Sequence, residues 1–73
     1  MVKIKHMPTW ESVAFINWLQ MIGYKVLQRG MQIDLIPRYR CKLNPRGGQI
    51  YYNGQMNKTA KLLLKEFREH LAA

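Results

Sequence analysis

Between Asn57 and Leu71 the apolar residues recur at a helical period, and this stretch constrains the chain more than any other. At about 100° per residue, Ala60, Leu63, Leu64, Phe67 and Leu71 share one face. An amphipathic helix of this kind requires a core to dock on. Lys58, Lys61, Lys65 and Arg68 share a second face, at spacings of three, four and three. One helix therefore anchors the fold with one side and carries a ridge of positive charge on the other. Asn57 is its expected cap.

The segment before it reads as β structure. Tyr24 to Gln28 runs into Arg29-Gly30, a tight turn. Met31 to Leu35 alternates apolar and polar residues, and Pro37 ends or kinks that strand. Arg38 to Leu43 alternates again, with Tyr39, Cys41 and Leu43 on one side and Arg38, Arg40 and Lys42 on the other. Asn44 to Gly48 is turn chemistry, and Gln49 to Asn53 returns as the last strand. The inner face of this sheet is expected to present Tyr24, Val26, Met31, Ile33, Leu35, Tyr39, Cys41, Leu43, Ile50 and Tyr52.

A first helix precedes the sheet. Thr9 is its expected N-cap, Glu11 complements the dipole in the first turn, and Gly23 closes it. It carries two apolar stripes: Phe15, Leu19 and Ile22 with Ile16, and Trp10, Ala14, Trp18 and Met21. Only one can face the sheet squarely. Either the second helix and the loops cover the other, or Trp10, Trp18 and Met21 form an exposed anchor for a partner chain.

The expected architecture is thus α+β: helix, three-stranded antiparallel sheet, helix (αβββα), with both helices on one face of the sheet. Residues 1–8 form an N-terminal basic arm or edge strand, and residues 9–73 a single small domain.

Cys41 alone cannot make an internal disulfide, and one cysteine fits a reducing, cytoplasmic setting. With His6 and His70 it falls short of the usual four zinc ligands. No apolar run approaches the roughly 20 residues that span a membrane, and the N-terminus lacks the apolar run of a secretory signal. No cofactor is expected. Nor is a catalytic centre: Glu66 and His70, four apart, are a surface helix pair, and Gly47-Gly48 lacks the flanking residues of a phosphate loop.

What stands out is charge. Twelve Lys and Arg oppose four acids, a net charge of +8 on a chain that is 48% hydrophobic and hence foldable. Such an excess points to a negatively charged partner. The expected partner is nucleic acid, RNA or DNA with duplex preferred. The alternative is a protein-interaction module that forms a homodimer or binds an acidic partner protein.

Two basic constellations are available. The first is the helix ridge of Lys58, Lys61, Lys65 and Arg68, with Glu69 the only nearby acid, able to pair with Lys65. Lys58 also lies in the first turn, where free backbone N–H groups favour phosphate. The second is the outer sheet face, with Lys25, Arg29, Arg38, Arg40 and Lys42 continued by Arg46, and with Tyr51, Gln32 and Asp34. Tyr51 is placed to stack on a base or sugar, and Asp34 to pair with an arginine. With the helices covering one side of the sheet, these constellations are expected to face opposite ways. The helix ridge, joined by the Arg46-Gly47-Gly48 loop, is the favoured contact surface.

The order of elements resembles the double-stranded-RNA-binding domains, and Asn57-Lys58-Thr59-Ala60-Lys61 is similar to the basic cluster opening their second helix. The resemblance implies phosphate contacts for Lys58 and Lys61. The Gly-Pro and histidine of that family's first hairpin loop have no counterpart at Gln28-Arg29-Gly30-Met31. Trp18 to Val26 also resembles the opening of small mRNA-cleaving toxins of the same plan. Their hairpin histidine is replaced here by Met31 and Gln32, so RNA cleavage is not implied.

Overall fold

A computed structural model describes residues 4–37 and 47–72. The chain runs α1 (Thr9–Ile22), β1 (Tyr24–Arg29), β2 (Gln32–Pro37), β3 (Gly48–Tyr51) and α2 (Lys58–Ala72). The sheet is antiparallel in the order β1-β2-β3, with Val26 opposite Leu35 and Ile33 opposite Ile50. Both helices lie on the face that carries Tyr24, Ile33, Leu35 and Ile50, as expected.

Local chemistry explains the boundaries. Gly23 adopts φ 114° and its N–H reaches back to the Gln20 carbonyl, ending α1 in the left-handed conformation that glycine tolerates. At the start of α1 the expectation fails. Pro8 occupies the cap position, Thr9 is already helical, and no side chain caps the helix. Proline's fixed φ suits a helix entrance, and Thr9, already inside the helix, no longer stands at the position from which a side-chain oxygen caps it. In α2 Asn57 does cap: its Oδ1 accepts the Ala60 N–H at 2.9 Å.

The hairpin turn also differs. Arg29 pairs with Gln32, so the two loop residues are Gly30 and Met31, with φ +56° at Gly30. A two-residue hairpin loop wants positive φ at its first position, which only Gly30 supplies cheaply. That shift moves Met31 out of the inner face to 73% exposure. Tyr52 lies just past β3 and is half-buried. Tyr39, Cys41 and Leu43 lie outside the described residues.

The core joins Phe15, Ile16 and Leu19 of α1 to Leu63, Phe67 and Ala60 of α2 across the sheet. Phe15 and Phe67 meet at 5.3 Å between ring centroids, and Trp18 approaches Phe67 at 5.6 Å. Leu71, expected on this face, is half-exposed and stands outside the core. Residues 4–7 turn tightly and bury Ile4 and Met7. The Ile4 N–H faces the buried Ser12 hydroxyl at 3.4 Å, and the Lys5 N–H donates to the Tyr52 carbonyl at 2.9 Å.

Candidate nucleic-acid interface

The site is built where β3 hands over to α2. After Tyr51 the chain turns, and residues 55–57 run back along the outer edge of β3. The Tyr51 N–H donates to the Gln55 carbonyl at 2.8 Å, and the Asn57 N–H donates to the Gln49 carbonyl at 3.0 Å. Met56 forms a bridge with Ile50. This satisfies an edge that would otherwise be open, and it fixes where α2 begins. The Asn57 side chain then donates from Nδ2 to the Gly47 carbonyl at 3.3 Å. One residue thus caps the helix with its oxygen and holds the preceding loop with its nitrogen.

On α2, Lys58, Lys61 and Lys65 are exposed, and among the described residues none of them is in an ion pair. Arg68 is different. Its guanidinium meets Glu11 of α1 at 2.8 Å, with the carboxylate side chain only 13% exposed. Glu69, expected to be the only nearby acid able to pair with the ridge, is not alone: α1 delivers Glu11 from across the helix interface. The free positive charge of α2 is therefore concentrated in its first two turns, with Glu69 and Glu66 toward its far end.

Lys61 sits between two shallow hollows. One, of about 470 Å³, is lined by Tyr51, Gln55, Met56, Asn57 and Lys61. The other, of about 420 Å³, follows α2 past Leu64, Lys65 and Arg68 to Ala72. Tyr51 belongs to the outer sheet face and Lys61 to the helix ridge, yet both line the first hollow. The two constellations expected to point apart meet at the β3 edge, because residues 55–57 bring α2 alongside that edge.

Among the described residues, the rest of the outer sheet face carries little free positive charge. Arg29 pairs with Asp34 at 3.2 Å, as anticipated for that acid, and Gln32 hydrogen-bonds the same carboxylate. Lys25 is exposed, but Leu27 and Ile36 share the face with it, two apolar residues that alternation along β1 and β2 could have revealed. Arg38, Arg40, Lys42 and Arg46 lie outside the described residues. Gly47, next in the chain to Arg46, is the loop residue held by Asn57.

Of the α1 residues considered as a partner anchor, Trp18 is half-buried, stacked toward Phe15 and 6.2 Å from the His70 ring. Trp10 and Met21 are exposed. Among the described residues no cluster of His, Cys, Asp and Glu could hold a metal ion. No helix among them is long and apolar enough to cross a membrane. Comparisons with protein-family models, with curated proteins and with solved structures gave no match to this chain.

Proposed function

We propose that this protein is a cytoplasmic nucleic-acid-binding protein that grips the phosphate backbone of duplex RNA or DNA, serving as a regulator or accessory factor rather than an enzyme. The observation that carries the reading is the group of three lysines in the first two turns of α2 that form no ion pair among the described residues, with Lys61 lining the Tyr51 hollow and Asn57 tethering Gly47 at the helix start. From Lys58 to Lys65 the helix rises about 10 Å, a reach that lets the three lysines meet neighbouring phosphates of one strand. Lysine contacts of this type position a protein on a backbone and carry little sequence information. Tyr51 offers a ring face to a sugar or base at the end of the track, and the first-turn N–H groups of α2 add a favourable dipole for phosphate.

The test is charge reversal with a gel-shift panel of duplex and single-stranded RNA and DNA. Lys58→Glu, Lys61→Glu and Lys65→Glu together should abolish retention of duplex. The same reversal at Arg38, Arg40 and Lys42 should weaken it much less. The opposite ranking moves the contact to that segment, and no effect from either set removes the proposal.

A further inference from the structure

We infer that the outward face of α1 is a self-association surface, through which two copies of this chain pair as an antiparallel helix dimer. The inference stands apart from the α2 reading and rests on different side chains.

Charge is the first argument. Within Thr9–Ile22 the only charged residue is Glu11, and its carboxylate is engaged by Arg68. The outward face of α1 is therefore uncharged in a chain of net charge +8. Two such molecules repel, and contact through the lysines of α2 would bury like charges against each other. The open edge of β1 is guarded by Lys25 in the same way. Across α1 two copies can approach closely without burying a cation.

Pattern is the second argument. Trp10 is 63% exposed and Met21 is 83% exposed, and neither belongs to the core. With the exposed Asn17 and with Ala14, which is half-buried at the margin of the core, between them they recur at spacings of four, three and four, the seam spacing of packed helix pairs. The stripe is symmetric about the point between Phe15 and Ile16. In an antiparallel pair, Trp10 of one copy meets Met21 of the other at both ends, a thioether against an aromatic ring. In the middle Ala14 meets Asn17, and the small side chain leaves room for the amide. The two Asn17 residues then lie about 4.5 Å apart along the axis, close enough for their amides to bond each other. One polar residue in an apolar seam specifies register. A parallel pairing would set Trp10 against Trp10 and lose this match of large with slender and small with polar.

The experiment uses the full chain in two measurements. Sedimentation over a concentration series should move the apparent mass from 8.7 kDa toward twice that value, and Met21→Glu should hold it at the monomer. Because Met21 is exposed, that variant should keep the parent's circular dichroism and melting temperature. In a Cys41→Ser background, Trp10→Cys and Met21→Cys are then oxidised separately and as a mixture. The mixture should give a disulfide-linked heterodimer in strong excess over either variant alone, since like positions lie about 16 Å apart in the antiparallel register. A parent that stays monomeric at every concentration overturns the inference. So does linkage of Trp10→Cys alone, which would mean a parallel pair. A dimer that survives Met21→Glu places the contact elsewhere, such as the β1 edge, and overturns it too. Recruitment of a monomeric parent, but not of Met21→Glu, to anionic vesicles would assign the face to lipid instead.

Discussion

At Gly48 the missing side chain has a specific reason. A Cβ there would lie 2.9 Å from Leu35 Cδ1 and 3.3 Å from Leu35 Cβ, and Leu35 is itself buried in the core. Gly48→Val should therefore cost about 1–3 kcal/mol as overpacking, read as a lower urea midpoint. Gly47→Ala meets only the Leu35 carbonyl, at 3.4 Å, and should cost less. Asn57 separates two roles by atom. Asn57→Ala should lose about 1 kcal/mol of helix capping. Asn57→Ser keeps a capping oxygen but cannot reach the Gly47 carbonyl. It should retain most of the melting temperature while weakening duplex binding, because the loop is then no longer held beside Lys58.

At the scale of elements, the two helices are joined by rings on one side and an ion pair on the other. Phe67 is buried against both Phe15 and Trp18, so Phe67→Ala should destabilise by about 3–5 kcal/mol, close to the whole stability of a small domain, and chemical denaturation should show it. The Glu11–Arg68 pair has an exposed guanidinium and should contribute less than about 1 kcal/mol. Its effect on binding runs the other way. Glu11→Gln removes the acid that occupies Arg68, extending the row of free cations by one. Affinity for duplex should rise at low salt, and the slope of log affinity against log salt should steepen by up to about one.

For the molecule as a whole, a net charge of +8 acts on the free and bound states in opposite senses. Free protein gains stability as salt screens its self-repulsion. Bound protein loses the contribution of phosphate contacts as counterion release becomes less favourable. Melting temperature should thus rise with sodium chloride for the protein alone. The extra stabilisation conferred by a duplex oligonucleotide should shrink over the same series. Thermal scans with and without duplex measure both trends, and a duplex shift indifferent to salt would contradict binding through lysine and phosphate.

Local sequence determined the αβββα order, most of the buried face of α2, the Gly23 stop and the Asn57 cap, because each depends on residues within a few positions of one another, whereas it left open which of the two apolar stripes of α1 would be covered. The turn at Gly30-Met31 was one residue off, since a single positive-φ position decides hairpin register and the neighbouring residues do not announce it. Tertiary structure alone decided which charges are free. Glu11 reaches Arg68 across 57 residues of chain, and residues 55–57 carry α2 against the β3 edge so that Lys61 and Tyr51 line one hollow. Helical spacing could place four cations in a row, but whether each remains open to a phosphate depends on what the rest of the chain brings beside it. That is a question of proximity in space, which no local pattern encodes.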